Sequence, residues 1–282
     1  MRVKSIAFGV LPYLLLAGPA FAQDQKSDDK PYDGLYVSVS GGYDMQSNDL
    51  GSRLNFDRNG DANFNEQVTN STGANIFAAG FCHGRARGAT PAETCENDRN
   101  RPSYYGRIGY DRQIYGPIVI GAVAEFGKTD IKDYVTGFTT EPASYTMERG
   151  VKWESSGRLR VGFTPGGGLF YATGGVGYAR FGHRFATTNT ANNFATLLDD
   201  RDKFGFIVGG GAEVRVTQHV TLGLEYTYHD YKDGQYLVRA TQGTAPLTNP
   251  FVLQPYPAGT TIARSDDNFR WNSLRAVVGF RF

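Results

Sequence analysis

The chain has 282 residues, a formal net charge of +1 and a mean hydropathy of -0.39. A charge so near balance gives no reason to expect a nucleic acid partner. Beyond the amino terminus, no apolar run is long enough to cross a membrane as a helix. The 36 Gly, 19 Phe and 17 Tyr, against 3 Met, suit tight turns, close strand packing and interfacial aromatic girdles.

The amino terminus has the pattern of an export signal. A basic start, Met1–Lys4, precedes an apolar stretch at about 6–16 and the small-x-small cleavage pattern Ala20–Ala22. The apolar stretch is too short for a membrane helix, so we predict a signal peptide over residues 1–22 and a mature chain that starts after it. Residues 23–33 are mostly polar, and we predict that they form a periplasmic linker.

From residue 34 onward, apolar and polar residues alternate in eight segments. Successive side chains of a strand point to opposite faces, so a period of two predicts β-strands. Each segment has about ten residues or more, the length that a tilted strand needs to cross a bilayer. The predicted strands are 34–43, 103–112, 118–128, 151–163, 169–181, 204–216, 220–230 and 271–282.

The last predicted strand shows the alternation most clearly. Its apolar face carries Leu274, Ala276, Val278, Phe280 and Phe282. The opposite face includes Arg275 and Arg281. A soluble sheet would turn the apolar face inward, whereas a transmembrane barrel turns it to lipid and turns the polar face to the lumen. The facing of the strand 169–181 is ambiguous, because both of its faces carry aromatic residues and glycines.

The connections between the predicted strands alternate in length. Long polar segments, the first at about 44–102, alternate with tight turns such as Thr164–Gly168. Outer-membrane barrels have this asymmetry, with short periplasmic turns and long extracellular loops, and an even strand number places both termini in the periplasm. In a soluble eight-stranded barrel, the alternative, apolar residues would have to fill an interior already occupied by charges. We therefore predict an all-β, eight-stranded antiparallel up-and-down transmembrane barrel over residues 34–282.

Four short pieces carry a family resemblance. They are Arg107–Asp111, Tyr171–Gly175, Leu224–Tyr226 and Gly279–Phe282. In this order they resemble the eight-stranded outer-membrane β-barrel family that includes opacity-type adhesins and the barrel domain of OmpA-like proteins. The resemblance departs in two ways: we expect no peptidoglycan-binding domain of the OmpA-like kind after the barrel, and the first loop is very long. It implies an outer-membrane location and a terminal strand whose Phe280 and Phe282 serve as the signal for the barrel-assembly machinery.

Eight charged residues fall on the predicted inner faces. They are Arg107, Glu125, Glu154, Arg158, Arg160, Glu213, Glu225 and Arg275. Eight strands leave an interior just wide enough for side chains, and unpaired buried charges are very costly. We therefore predict an ion-pair network that fills the lumen. A polar channel whose charges select ions is the alternative.

Two motifs in the first long loop could have a chemical role. Export places Cys82 and Cys95 in an oxidising compartment, which favours a disulfide between them. Free thiols, or a metal site at Cys82 and His83, are the alternatives, although two adjacent ligands are poor support for a metal. Asp57–Asn63 has the acid and amide spacing of a calcium loop, but Ala62 replaces the required Gly, so we interpret it as a solvated turn-rich loop.

The sequence offers no plausible set of nucleophile, base and orienting residue, so we predict no catalytic residue, no cofactor and no metal site. The predicted function is that of an integral outer-membrane barrel with a structural or surface-interaction role through its extracellular loops, in envelope integrity or adhesion. A small passive porin-like channel is the alternative, and a lipid-modifying or proteolytic enzyme is a remote one. We expect a monomer whose partners are outer-membrane lipid, the barrel-assembly machinery and an unknown surface ligand.

Overall fold

The structure is a computed structural model that describes residues 30–46, 52–234 and 236–282. The predicted signal peptide and residues 23–29 of the predicted linker lie outside the described residues. Within the described ranges, two short 3-10 helices occupy Ile76–Ala79 and Pro91–Glu93. No helix in this part of the chain is both long and apolar enough to span a membrane.

Sixteen strands make up the rest of the regular structure in the described residues. They are β1 (Gly34–Gln46), β2 (Leu54–Asp57), β3 (Phe81–Cys82), β4 (Arg85–Ala86), β5 (Cys95–Glu96), β6 (Arg101–Tyr115), β7 (Ile118–Thr129), β8 (Lys132–Thr139), β9 (Ala143–Phe163), β10 (Gly168–Thr187), β11 (Asn193–Asp199), β12 (Asp202–Arg215), β13 (Val220–Lys232), β14 (Tyr236–Thr241), β15 (Thr260–Arg264) and β16 (Asn268–Arg281).

Eight of these strands close into an antiparallel barrel. The order around the barrel is β1, β6, β7, β9, β10, β12, β13 and β16, and β16 pairs back with β1. In the closing pair, Val39 lies opposite Val278. Short turns join β6 to β7, β9 to β10 and β12 to β13, all at one end of the barrel, which we call the short-turn end. The predicted eight-stranded up-and-down barrel is therefore confirmed.

Side chains alternate between the outer wall and the lumen along every barrel strand. On β16, for example, Leu274 and Val278 are exposed, whereas Arg275 is buried. The inner faces predicted from the eight charged residues agree with the structure, because all eight are buried. The facing of β10, which the sequence left ambiguous, is also clear: Phe170 and Val176 point outward, and Tyr171 points into the lumen.

Two barrel strands are much longer than the sequence pattern predicts. β9 has 21 residues and β10 has 20, and both continue past the barrel at the end opposite to the short turns. In the extension of β9, most residues from Ser144 to Val151 are buried regardless of parity. Packing on both faces removes the alternation that marks a strand with one wet or lipid face. The predicted loop before residue 151 is therefore partly strand.

The four long connections are folded together rather than extended as separate polar loops. We call their described residues within 52–100, 130–150, 182–201 and 233–267 the cap. Strands from three of the connections form a second sheet in the order β11, β14, β15 and β2, while β8 pairs with the extension of β9. The sequence predicted only that these connections are long and polar, and it did not predict the strands within them.

The cap has a hydrophobic core of its own. Its buried members are Leu54, Phe56, Val68, Ile76, Phe77, Val135, Tyr145, Met147, Tyr236, Val238, Ala240, Phe251 and Ile262. The Phe77 ring lies 4.5 Å from that of Phe56, 5.3 Å from that of Tyr145 and 6.3 Å from that of Phe251, measured between centroids. Phe194 adds the third connection, with its ring centroid 5.8 Å from that of Tyr145. Every long connection therefore contributes aromatic side chains to one packed cluster.

A disulfide joins Cys82 and Cys95 in the cap, as predicted. Their Cα atoms are 6.6 Å apart, and the bridge joins β3 to β5, which pairs with the two-residue strand β4. The bond excludes free thiols and a metal site at Cys82. Nearby in the chain, the carboxylate of Asp57 accepts from the backbone N–H groups of Gly60 and Ala62, at 2.7 and 3.1 Å, which fits a turn-rich loop.

The predicted linker is anchored at Tyr32. The side chain is fully buried at the short-turn end of the barrel. Its hydroxyl lies 2.9 Å from the carbonyl oxygen of Gly167 and 3.1 Å from that of Glu213. It therefore donates to the turn between β9 and β10 and to the backbone of β12. A buried aromatic ring whose hydroxyl is hydrogen-bonded stabilises the end of the barrel. This part of the linker is therefore structured, which its polar composition did not predict.

We expect the disulfide to stabilise the cap locally. In the chain-entropy model, a loop of this length contributes about 3 kcal/mol, and paired strands as short as β4 and β5 are marginal alone. The double variant Cys82→Ala/Cys95→Ala should therefore be cleaved by protease between these positions much faster than the parent protein. Parent protein that is reduced and alkylated is the control and should match the variant. Equal resistance of variant and parent would show that packing alone holds this segment.

Candidate functional site

The lumen contains a layer of paired charges near the short-turn end. Arg160 donates to Asp111, with Nε 2.7 Å from Oδ1, and to Glu213, with Nη1 2.8 Å from Oε1. Arg281 donates to the same two carboxylates at 2.6 and 3.5 Å. The two guanidinium groups also lie over the ring of Tyr36, at 4.9 and 4.7 Å from its centroid. Two cations and two anions thus neutralise each other here.

A second layer of charges crosses the middle of the lumen. Glu125 pairs with Arg107, with Arg158 at 3.2 Å and with Arg275 at 2.9 Å. Glu225 pairs with Arg107 at 2.6 Å and with Arg158 at 3.1 Å. These residues come from β6, β7, β9, β13 and β16, so the pairs join opposite walls of the barrel. All five side chains are at most 4% exposed.

Glu154 is the centre of a third layer, toward the cap. Its carboxylate accepts from Tyr231 at 2.6 Å, from His229 at 2.9 Å and from Tyr105 at 3.0 Å. The indole of Trp271 stacks on the rings of His229 and Tyr231, with centroids 4.6 and 5.2 Å away. Trp271 belongs to a buried apolar cluster with Ile131, Val151, Ala179, Phe181, Tyr231 and Phe269. This cluster lies across the lumen below the cap.

Glycines on the inner wall make room for these side chains. A Cβ on Gly109 would collide with the ring of Tyr36, and one on Gly121 would collide with the carboxylate of Asp111. A Cβ on Gly223 would come within 2.8 Å of the Cγ of Glu213. Each glycine therefore faces a large inward side chain on the neighbouring strand. Small residues beside large ones are the usual solution for filling a narrow barrel.

The structure brings all eight predicted lumen residues into the barrel interior. Arg160 and Glu213 lie in the lower layer, five others lie in the middle layer, and Glu154 lies above them. The lumen also contains Asp44, Asp111, His229 and Arg281, which were not among the predicted site residues. Arg281 already lies on the predicted polar face of the last strand, and Asp111 and His229 have the parity of Arg107 and Glu225 on their strands. Asp44 lies one residue beyond the predicted first strand, so extending the alternation by one residue would have found it.

Buried ion pairs also lie within the cap, close to the barrel. The Asp133 carboxylate accepts from Arg149 at 2.6 Å and from Arg264 at 2.8 Å. Arg149 further donates to the backbone carbonyls of Asp266 and Asn268, at 3.2 and 2.7 Å. Burial alone raises the pKa of the Asp133 carboxyl, but the guanidinium groups of Arg264 and Arg149 outweigh it and hold the pKa below its ordinary value. The second and fourth long connections are thus tied together here.

His183, on the extension of β10, forms a second tie within the cap, to the third and fourth connections. Its Nδ1 lies 2.7 Å from Asp199, and its Nε2 lies 3.1 Å from Asp233. Each ring nitrogen of His183 can donate to the carboxylate that faces it. The ring also stacks on Tyr236, with centroids 4.9 Å apart. Burial raises the pKa of Asp199, but hydrogen bonds from Arg201 and His183 more than offset it, so the pKa is lowered.

Residues 10–282 match the family described as outer membrane protein beta-barrel domain. The chain belongs to this family. It is 32% identical to the 31 kDa outer-membrane immunogenic protein of Brucella melitensis over 128 residues, which are 44% of this chain and 51% of that protein. It is 29% identical to the 22 kDa outer membrane protein of Rhizobium leguminosarum over 142 residues, 50% of this chain and 58% of that protein. The chain therefore spans about half the length of these relatives.

The fold is similar to that of a solved outer-membrane barrel. The structure of OprG from Pseudomonas aeruginosa superposes with a TM-score of 0.50 at 13% identity and covers 90% of this chain and 99% of that chain. At this identity the likeness shows the fold alone. Family and fold together establish an outer-membrane β-barrel protein, as predicted.

The outer wall of this membrane protein has two aromatic girdles. Phe126, Trp153, Tyr178 and Phe204 form a row of ring contacts at the cap side, with centroids 5.8, 5.5 and 4.9 Å apart. Exposed Tyr115, Phe163, Phe170 and Phe282 lie near the short-turn end. Along β9, ten residues separate Trp153 from Phe163, about 33 Å of strand. At a usual tilt this is about 25 Å across the membrane, the height of the apolar band in such barrels.

We expect a charged side chain on the outer wall between the girdles to destabilise the barrel. Leu224 is 61% exposed within this band, and Leu247 is 65% exposed in the cap. Leu224→Arg should cost about 2–4 kcal/mol, because arginine at mid-bilayer is poorly solvated. Leu247→Arg should change stability by about 0.5 kcal/mol or less, because that position faces water. Urea titration of both variants folded in lipid vesicles measures the difference. Equal costs would contradict the assignment of the lipid face.

We expect Glu125 to be critical for the stability of the barrel. Glu125→Gln keeps the shape of the side chain, but Arg107 and Arg158 then share Glu225 alone. Arg275 is left with the Asp44 carboxylate, 3.9 Å away. Removing one member of a buried ion pair typically costs about 3–5 kcal/mol. Asp202→Asn is the control, because Asp202 and Arg180 form an exposed pair, worth about 0–1 kcal/mol. Unfolding in urea should separate the two variants, and a Glu125→Gln barrel as stable as the parent would contradict the network's role.

The junction at Asp133 should make the cap sensitive to acid. The carboxyl has a pKa of about 3.9 in an unfolded chain and a lower pKa in the fold. Its ion pairs therefore contribute fully above a pH of about 4 and are lost as the pH falls through the folded pKa. Asp133→Asn should lower the melting temperature at neutral pH and reduce its further fall in acid. Circular dichroism from neutral pH to about pH 2 tests this, and an unchanged acid profile would assign the effect elsewhere.

Proposed function

We propose that this protein is a surface-recognition protein, in which a closed barrel holds the folded cap outside the cell. The observation that carries the proposal is the shared core of the cap, to which all four long connections contribute. Loops that served only to join strands would not need a packed core, a disulfide and buried ion pairs. Long loops are extracellular in bacterial outer-membrane barrels, so in this proposal the cap faces the surroundings and the termini face the periplasm.

The packing of the lumen supports an anchor rather than a pore. Arg158 and Arg275 have fully buried side chains, and each pairs with carboxylates from other strands. Above these pairs, the fully buried Trp271 and Phe269 fill the section below the cap. An ion would have to displace both the charge pairs and the apolar cluster. This proposal therefore treats the barrel as closed to ions.

The names of the relatives are consistent with surface exposure. The Brucella melitensis protein is called immunogenic, which is expected of a protein that antibodies reach on the cell. Neither that name nor the Rhizobium leguminosarum name describes an enzymatic activity. We accordingly propose a non-enzymatic role for this chain, with adhesion as the first form of recognition and envelope integrity as a second contribution of the same barrel.

One observation favours a narrow passive channel as the second candidate. The hydroxyls of Ser38, Ser40 and Ser156 are buried on the inner wall without a hydrogen-bond partner among the described residues. Buried polar groups of this kind are normally satisfied by water. A file of water along β1 and β9 would be the starting point of a small pore, although the charge pairs and Trp271 still interrupt it.

Conductance separates the anchor from the channel. The purified protein is inserted into planar bilayers, and single-channel current is recorded for the parent and for Glu125→Gln. We expect almost no current from the parent, because its lumen is cross-linked, and brief leaks from the variant. Asp202→Asn is the matched control and should behave as the parent. A large and stable current from the parent protein would overturn the closed anchor and favour the channel.

The recognition role is tested on cells. A variant in which short turns replace the four long connections keeps the barrel but loses the cap. Cells carrying the parent or this variant are compared for adherence to surfaces coated with polysaccharide, serum protein or lipid. We expect the parent to adhere better to at least one surface, with equal amounts of both proteins in the outer membrane. Equal adherence on every surface would contradict a recognition role.

A further inference from the structure

A pocket of about 290 Å³ lies where all four long connections of the cap meet. The first connection supplies Asn70, the second supplies residues 139–143, the third supplies 188–191 and the fourth supplies 249–251. A site to which every connection contributes exists only when the whole cap is folded. Its volume is close to the lower limit for small-molecule sites, about 300 Å³, so it fits one small ring rather than an extended ligand.

Two asparagines at the pocket have fixed amide groups. The Oδ1 of Asn70 accepts from the backbone N–H groups of Thr72 and Ala74, at 3.1 and 3.0 Å. The Oδ1 of Asn249 accepts from the backbone N–H of Phe251 at 3.1 Å and from the side chain of Asn192 at 3.0 Å. Backbone N–H groups only donate, so these contacts identify the oxygen of each amide. Both Nδ2 groups then lack an acceptor among the described residues and are held ready as donors.

The other polar groups of the pocket complement these donors. Glu141 offers an exposed carboxylate without an ion-pair partner in the described part of the chain, and Thr140 and Thr190 offer exposed hydroxyls. Glu141 is the only residue of the lining that is charged at neutral pH. An anionic ligand would therefore find no cation here. Donors, acceptors and hydroxyls around a pocket without a cation match a ligand that itself carries several hydroxyl groups.

The floor of the pocket is apolar. Tyr145 and Phe251 lie beneath it with ring centroids 5.5 Å apart, and Ile76 and Pro250 complete this side. The Tyr145 hydroxyl is already engaged by the side chain of Asn189 at 2.9 Å, which fixes the ring. An apolar floor with polar groups at the rim suits a molecule with one C–H face and a rim of hydroxyls, as a pyranose ring has.

We propose that this pocket binds a single uncharged sugar residue, such as the terminal unit of a neutral glycan. The proposal rests on the proposed surface-recognition function, because it supplies the class of ligand that the cap would recognise. The amides of Asn70 and Asn249 donate to ring or hydroxyl oxygens, while Glu141 and Thr190 accept from sugar hydroxyls. The barrel and its ion pairs take no part in this binding.

The test uses the whole protein in a detergent without a sugar headgroup, such as lauryldimethylamine oxide. Glucose, galactose, mannose, fucose and N-acetylglucosamine are the neutral probes, and N-acetylneuraminic acid is the anionic comparator. Binding is measured by saturation-transfer NMR and calorimetry. We expect saturable binding of at least one neutral sugar and none of the anionic comparator. No saturable binding of any neutral probe, or binding of the acidic sugar alone, would overturn the proposal.

Matched variants locate the binding. Asn70→Asp and Asn249→Asp keep the oxygen that accepts from the backbone and remove the donor, so each should weaken sugar binding at least tenfold. Asn100→Asp is the control: its Oδ1 accepts from the backbone N–H of Gln46 at 2.7 Å, and it lies outside the pocket. It should bind sugar as the parent does. Thr190→Val adds no charge and should also weaken sugar binding. It tests the site even if either aspartate variant fails to fold. Unchanged binding in all pocket variants would overturn the proposed site.

The two proposals fail in different ways. If parent cells adhere through the cap but Asn249→Asp cells adhere equally well and no sugar binds, the sugar pocket is wrong while surface recognition stands. If cells without the cap adhere as well as the parent, surface recognition is wrong. Sugar binding by the purified parent, lost in Asn70→Asp and Asn249→Asp, would in that case still establish the pocket.

Discussion

The need to pair charges inside a narrow barrel governs much of this structure. Taking a charge out of water costs several kcal/mol unless a partner and further hydrogen bonds compensate it. An eight-stranded barrel has little space for water, so its inward residues must satisfy one another. Glu125 alone contacts arginines from three other strands. These contacts fix the register and shape of the walls from within, and inner-wall glycines such as Gly109 exist because large side chains must fit across from them.

The cap is stabilised by burial of apolar side chains away from water rather than by paired charges in a lumen. It lies beyond the aromatic girdle formed by Phe126, Trp153, Tyr178 and Phe204, so it cannot rely on lipid to cover apolar side chains. It buries them against one another instead, in the manner of a small soluble domain. The cap and the barrel share β9 and β10, which run through both. The ion pairs of Asp133 with Arg149, and of His183 with Asp199 and Asp233, hold parts of the second, third and fourth connections against these two strands. β9 and β10 thus carry both the ion-paired barrel interior and the hydrophobic core of the cap.

The sequence predicted the barrel well because each barrel strand has two different environments. Lipid on one side and charged neighbours on the other impose a period of two, which is visible from Leu274 to Phe282 without any structural information. The same signal fails where both faces are covered, as in the extension of β9 from Ser144 to Val151. It also fails in the cap, whose core brings together Phe77, Tyr145 and Phe251 from distant parts of the chain. Nothing local in the sequence specifies that meeting, nor the pocket above it.

If the cap faces the outside of the cell, as we propose, its shared core has a consequence for how antibodies recognise this protein. Surface loops on a barrel are often independent, so each can be copied as a short peptide and can change its sequence without affecting the others. Here Phe77, Tyr145, Phe194 and Phe251 hold four segments against one another, and any epitope on the cap is assembled from several of them. A linear peptide from one segment would present little of that surface. Change in one segment would also have to be accommodated by the other three, which restrains drift of the exposed surface.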